Sequence, residues 1–537
     1  MGIPAYFSYI IKNYANIIRS LQSFLLNSQE TSDSFTHLYM DCNSIVYDSY
    51  YELETVNPEN IETLVIERVI QKIEYYIGLL KPTSCIYIAF DGVAPFAKMY
   101  QQKMRRYKSS FITNINNEFM DKESKNKWNT SSITPGTEFM HKLSEQLNFH
   151  FRYSENRYNC KEVIVSCSDE PGEGEQKLFL HLRRTIKETD QIAVYGLDSD
   201  LIMLSIFHLS YCKNTYIFRE APEFLRNSIP VDVKDDEPYF VDINALQYGI
   251  LDHMDCKFNS VHRIQDYVFL CFLLGNDFLP HFPSMNIRTH GIDTLLDIYK
   301  ITLGNKEDAY FIHPITKKID WGYVNKYMKQ LHEKEHDFLK QEHYVRNKFD
   351  NYKFGETTPE EREKAFQNTP ILYRREEKYI CPNEKGWEER YYKSLFGKER
   401  TSKNMKEICN NYIEALEWVY VYYTDDCIDW KWKYNYHYPP LFADLVKYIP
   451  HFQMDYFTKQ ETPHIFSPYT QLAYVLPKDN LYLLPKEKQE WLLKNYGKYY
   501  PEQFSFVWAY CRYFWEAHPI MIDLPMVELG KIDNQLQ

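Results

Sequence analysis

"QIAVYGLDSDLIML", residues 191 to 204, decides the fold. Its first five residues form a short apolar run of the kind that fills a strand buried on both faces, and "LIML" opens a second apolar stretch. A glycine and two carboxylates, Asp198 and Asp200, lie at the seam between the two. That order predicts a core strand running into a core helix, with acids at the strand's carboxyl end.

The same signal recurs outward from this point. "HLYMD" (37 to 41), "CIYIAFD" (85 to 91), "EVIVSCS" (162 to 168) and "NTYIFRE" (214 to 220) read as further strands. Helical periodicity fills the gaps, as in "NIETLVIERVIQKIEYYIGLL" (60 to 80) and "TPGTEFMHKLSEQLNF" (134 to 149). Strands alternating with helices predict an α/β fold with a mostly parallel sheet flanked by helices. The polar stretch 114 to 132 reads as a surface loop. The expected division is an α/β core over 1–302, a charged helical insert of solvated helices and loops over 303–410, and a helical, aromatic-rich region over 411–537.

Composition excludes several classes. The chain has 537 residues and no run of 18 apolar residues, so no membrane span is expected. "MGIPAYFSYIIKNYANIIRSL" reads as an amphipathic helix rather than a signal peptide, and Tyr6 stands where myristoylation needs Ser or Thr. Eleven scattered cysteines without a C-x-x-C pair argue against disulfides or structural zinc and for a reducing, cytoplasmic setting. The net charge of −12 is unlike a nucleic-acid binder, yet "KMYQQKMRRYKSS" (98 to 110) carries five Lys or Arg and no acid.

In open α/β sheets the ligand crevice lies beyond the carboxyl ends of the strands. Asp41, Asp91, Asp198 and Asp200 all fall there, Glu173 and Glu175 in "PGEGEQKL" straddle a loop-to-helix start, and Asp277 follows Gly275 below the apolar "DYVFLCFLLG". Any one Asp at such a place could instead cap a helix. Seven together would repel one another unless cations neutralised them, and all-oxygen ligands select Mg²⁺ or Mn²⁺ over Zn²⁺. Two such ions about 4 Å apart can activate water against a phosphodiester. Lys98, Gln102, Arg105 and Arg106, spaced i, i+4, i+7 and i+8, share one helix face and offer several donors to a terminal phosphate.

Taken in order, "MGIPAYFSYI", "YMDCNSIVYD", "FDGVAPFAKMYQQKMRRYKSS", "ITPGTEFM", "DEPGEGEQKL", "YGLDSDLIML" and "FLLGNDFLPHFPSMNI" resemble the first homologous region of the XRN family of 5′→3′ exoribonucleases. "EALEWVYVYYTDDCIDWKWKYNYHYPPLFADL", "LAYVLPKDNLYLLP" and "FWEAHPIMIDLP" are similar to its second. The resemblance implies a PIN/flap-nuclease-like core that degrades single-stranded RNA bearing a 5′ monophosphate to mononucleotides, with two Mg²⁺ as cofactors. It implies that Asp41, Asp91, Glu173, Glu175, Asp198, Asp200 and Asp277 hold the metals, and that Lys98, Gln102, Arg105 and Arg106 hold the 5′ phosphate. Tyr47 stands where the family carries a histidine that stacks on the first bases, and Cys42 and Ser44 replace its usual Met and Gly. The partner aromatic is expected at Trp430 or Trp432. Ending with the second region, the chain is expected to be a minimal catalytic core, of viral or protist origin by its composition and acting in the cytoplasm. A flap-type DNA nuclease and an inactive RNA-binding relative are the rival readings.

Overall fold

The computed structural model describes residues 2–21, 34–53, 60–119, 128–196, 198–220, 238–289 and 291–537. Among the described residues seven strands form the central sheet: β1 (Ile18–Ser20), β2 (His37–Asp41), β3 (Cys85–Ala89), β4 (Glu162–Ser166), β5 (Ile192–Tyr195), β6 (Thr215–Arg219) and β7 (Tyr239–Asp242). Their spatial order is β1-β7-β6-β5-β2-β3-β4, parallel from β6 to β4 and antiparallel at β7 and β1. The chain lays β2, β3 and β4 in one direction, then crosses back over β2 to lay β5, β6 and β7 in the other. The strand order therefore reverses between β2 and β5, which is where open α/β sheets form their crevice.

Both faces of the sheet are covered, which explains the unbroken apolar runs. Leu38, Met40, Ile86, Ile88 and Ala193 pack on one side with Val65, Val69 and Ile73 of the helix Ile61–Leu80. Tyr39, Tyr87, Val194 and Ile217 pack on the other with Leu178 and Leu182 of the helix Gly174–Thr185 and with Leu201 and Leu204 of the helix Asp200–His208. The alternation follows the two-residue period of a strand.

Four expectations need correction. The N-terminal segment is a short helix, Tyr6–Asn13, followed by edge strand β1, because the β-branched pair at 17–18 pairs with β7 instead of extending the helix. The helix Phe96–Phe119 runs into the stretch read as a loop, of which 120–127 lies outside the described residues. The helix Ser402–Thr424 is continuous across the boundary drawn at 410/411. The charged insert is not merely solvated: Trp321, Tyr327 and Leu331 of the helix Trp321–Asn347 are part of the main core, and Arg346 grips Glu377 through two buried 2.7 Å hydrogen bonds. Its charges alternate with an apolar stripe that high overall polarity hides.

The second region packs on the sheet's carboxyl end. Phe96 and Met99 of the helix Phe96–Phe119 pack with Leu472, Ala473 and Tyr474 of the helix Pro468–Val475, whose Gln471 accepts the Ala94 N–H at 2.8 Å.

Candidate active site

The seven acids converge where the strand order reverses. Asp41 ends β2, Asp91 lies two residues past β3, and Asp198 lies three past β5. Glu173 is the N-cap of the helix Gly174–Thr185, Glu175 sits in its first turn, and Asp200 opens the helix Asp200–His208. Asp277 follows Gly275, whose φ of 85° turns the chain sharply after the apolar helix Arg263–Cys271. The Gly174 N–H donates to Asp91 Oδ1 at 2.7 Å, and a Cβ on Gly174 would lie 2.7 Å from Asp41 Oδ1. Only glycine lets this backbone press so closely between the two carboxylates.

Capping and clustering coexist here. Asp198 Oδ1 accepts the Asp200 N–H at 3.3 Å, and Asp91 accepts from the start of the Gly174–Thr185 helix, so both stabilise helix ends while facing the cleft. Asn43 donates to Asp91 Oδ2 at 2.5 Å and fixes it from the other side.

Lys98 joins the acids to the basic helix. Its Nζ lies 2.5 Å from Glu173 Oε2 and 2.9 Å from Asp277 Oδ2. Burial would raise the Asp277 carboxyl, but the Lys98 ammonium outweighs it and holds the group below the ordinary range. For Asp41 and Asp200 burial and like charge win instead. Burial, then the Asp91, Asp198 and Glu173 charges, push Asp41 well above the ordinary range; burial and then Asp198 push Asp200 up to about 7. Asp41 Oδ1 is buried with no hydrogen-bond partner among the described residues. A buried orphan oxygen among repelling carboxylates, in an all-oxygen donor set, fits a hard divalent cation.

From the second region, Tyr422 donates to Glu173 Oε1 at 2.5 Å and Tyr423 to Asp200 Oδ1 at 2.6 Å. Neither tyrosine was singled out from sequence. Both belong to an aromatic run in which core and site residues look alike.

Lys98, Gln102, Arg105 and Arg106 line one cleft of about 2080 Å³ together with Asp41, Asp91, Glu173, Glu175, Asp198 and Tyr47. Arg106 Nη2 donates to Thr134 Oγ1 at 2.6 Å, while its Nε is buried without a partner. Gln471 Nε2 donates to the Gln102 side-chain carbonyl at 3.5 Å, which leaves that carbonyl paired. Arg105 makes no hydrogen bond or ion pair among the described residues.

The stacking aromatics are partly corrected. Tyr47, on the helix Asn43–Leu53, does line the cleft. Trp430 and Trp432 do not: both pack against the core, Trp432 stacked on Trp418 at 5.3 Å, because the helix carrying Trp418 captures it. The cleft is lined instead by Tyr513 and Trp515, stacked at 6.2 Å with the Arg288 guanidinium near both rings. Trp515 lies in the quoted "FWEAHPIMIDLP" but in no periodic pattern, so its one sequence signal was a tryptophan placed outside any long apolar run.

Comparison with known proteins bears on the whole chain. The family model described as "XRN 5'-3' exonuclease N-terminus" matches residues 1–221, and that described as "Xrn1 helical domain" matches 257–384 and 373–537. The 5'-3' exoribonuclease 2 homolog of Drosophila melanogaster is 26% identical, covering 100% of this chain and 71% of that protein. The 5'-3' exoribonuclease 1 of Schizosaccharomyces pombe is 24% identical, covering 100% of this chain and 48% of that one. The solved catalytic core of Rad2 in complex with DNA substrate aligns over 66% of this chain and 81% of that chain, at 15% identity and a TM-score of 0.30.

Proposed function

The chain belongs to the XRN 5′-3′ exonuclease family, and from that premise we propose that it removes nucleotides one at a time from the 5′-monophosphate end of single-stranded RNA. One observation carries this reading. The Arg105 guanidinium, the Arg106 guanidinium held on one side by Thr134, and the Gln102 amide share a cleft with the carboxylates, one helix turn or two from Lys98.

In this reading the basic group binds a single phosphate and so fixes which bond reaches the acids. Arg105 and Arg106 supply planar forks for its oxygens. Tyr47 on one side and Trp515 with Tyr513 on the other stack on the first bases and exclude water from the reacting end. Held by Asp41, Asp91, Glu173, Glu175, Asp198, Asp200 and Asp277, two Mg²⁺ or Mn²⁺ ions would supply the Lewis-acid charge that acidifies a water and offsets charge on the leaving oxygen. Tyr422 and Tyr423 orient Glu173 and Asp200 for that task. Water adds to phosphorus and the bond to the 3′ oxygen breaks. A nucleoside 5′-monophosphate leaves, and the shortened strand carries a new 5′ monophosphate, so each cycle regenerates the end that the basic group recognises.

The test is a digestion of one labelled RNA bearing a 5′ monophosphate, triphosphate or hydroxyl, beside the matching DNA, with and without EDTA. Mononucleotide release from the monophosphate RNA, lost with chelation and no longer end-selective in R105A/R106A, is the expected result. Equal rates on all ends, or oligonucleotides cut from the interior, would overturn it.

A further inference from the structure

A second cavity, of about 420 Å³, lies on the other side of the phosphate-binding helix from the cleft. The two share Ala5, Arg105, Arg288 and Trp515 as a common wall, and Asp277 lines the second. Accepting the hydrolysis proposed above, we infer that this cavity receives the released nucleoside 5′-monophosphate, with its base among Tyr100, His437 and His518 and its phosphate at Arg105.

Three features favour that ligand over water. The walls are aromatic: Tyr100, His437 and His518 form one stack, at 6.4 Å and 24° and then 4.9 Å and 20°, against whose edges a base can pack. Two wall residues carry buried polar atoms without partners among the described residues, an acceptor at Gln101 Oε1 and a donor at Asn276 Nδ2. A buried donor and a buried acceptor left unpaired cost stability, and a base edge or ribose offers both complements. Finally, Arg105, which makes no hydrogen bond or ion pair among the described residues, borders both chambers, so a phosphate can pass from one to the other without leaving its guanidinium. Burial keeps His437 and His518 neutral, which leaves their rings as uncharged aromatic surfaces. The volume lies within the roughly 300–1,000 Å³ of small-molecule sites and is too small for a length of strand. Moving the base and ribose here clears the cleft for the next nucleotide, while a filled cavity keeps Arg105 from the next phosphate.

The experiment measures binding of labelled AMP to the full-length protein by equilibrium dialysis, and inhibition of RNA digestion by added AMP. Two sites are expected in the unmodified protein, one lost in R106A and the other in Q101L or H518F. In Q101L and H518F the first turnovers stay within about two-fold of normal while the AMP concentration for half-inhibition rises at least ten-fold. Photolabelling with 8-azido-AMP places the site without relying on a variant, and should mark the peptide bearing His437 and its neighbour Tyr436, which line this cavity and not the cleft. A single AMP site removed by R106A, or label confined to peptides of the cleft, would overturn the inference. Dialysis and labelling need no RNA turnover, so they separate failure of this cavity from failure of the nuclease reading.

Discussion

Tyr423 donates its hydroxyl to Asp200 Oδ1 at 2.6 Å across 223 residues of sequence, tying the second region directly to the acidic cluster. Asp200 sits in a setting that burial and Asp198 make hostile to its charge. A neutral donor that touches only this carboxylate fixes where its oxygens point without adding a competing cation. Tyr423→Phe removes that one bond and keeps the ring, which packs on Phe272 at 5.4 Å. Outer-shell partners of this kind are worth about 10- to 100-fold in metal affinity or activity. The expected result is a rate lower by that factor at limiting Mg²⁺, largely recovered at saturating Mg²⁺, with an unchanged melting temperature. A loss equal at every Mg²⁺ concentration would assign Tyr423 to packing alone.

Gly2 tests the site from the other end of the chain. It has φ of 49°, and a Cβ there would sit 2.5 Å from Ser199 Oγ and 2.6 Å from Asp200 Oδ1. Gly2→Ala must displace a cluster carboxylate or the N-terminal segment, beyond the roughly 1–2 kcal/mol that a left-handed alanine costs. Activity should fall by an order of magnitude or more, while circular dichroism shows an intact fold. Wild-type rates in G2A would mean that the Asp198–Asp200 loop moves freely.

Acid stability should report on His208. The ring is buried, with Nδ1 against the Leu204 carbonyl at 2.6 Å and Nε2 against Arg183 Nη1 at 3.0 Å, the arrangement of a neutral imidazole donating at one nitrogen and accepting at the other. Burial depresses it to about 3, against about 6.5 in the unfolded chain. Between those values the unfolded state takes up a proton that the folded state refuses. Its contribution is therefore complete above pH 6.5 and is lost as pH falls toward 3, by about 1.4 kcal/mol per pH unit. Raised carboxyls such as Asp200 pull total stability the other way over this range, so the readout is the difference between the unmodified protein and His208→Gln in denaturant unfolding at pH 7, 6 and 5, which should shift in favour of the variant as pH falls. An equal slope in H208Q would place the proton uptake elsewhere.

The acids were legible because one rule, that ligands gather beyond the carboxyl ends of parallel strands, collects Asp41, Asp91 and Asp198 from three distant segments. All three lie at that end of the sheet. The basic helix was legible through its spacing together with its place seven residues after Asp91. What sequence hid was tertiary. Trp418, Trp430, Trp432 and Trp515 look equally able to stack on a base, and which of them is taken by the core depends on helix packing that no local pattern encodes. The Arg346–Glu377 pair likewise reads as solvent-facing charge, and its burial appears only when the insert closes over it.

That difference among tryptophans gives the last prediction. Trp515 is 37% exposed in the cleft beside Tyr513, whereas Trp432 is stacked on the fully buried Trp418. Removing a stacking platform costs about 1–3 kcal/mol per base, so Trp515→Ala should slow stepping along RNA by roughly 5- to 100-fold. Its melting temperature should not change, since a half-exposed ring on a cleft wall adds little to the core. Trp432→Ala should do the reverse, lowering the melting temperature through a cavity beside Trp418 while leaving the per-step rate near normal. Tyr47→Ala should behave like Trp515→Ala, and the double variant should be no slower than the larger single effect if both rings clamp the same bases from opposite sides. Gel ladders from single-turnover digestion read the stepping rate, and thermal melts read the packing. Were W432A to slow stepping at unchanged stability while W515A did nothing, the strand would have to run past Trp432, and the cleft wall built from Tyr513 and Trp515 would not be its path.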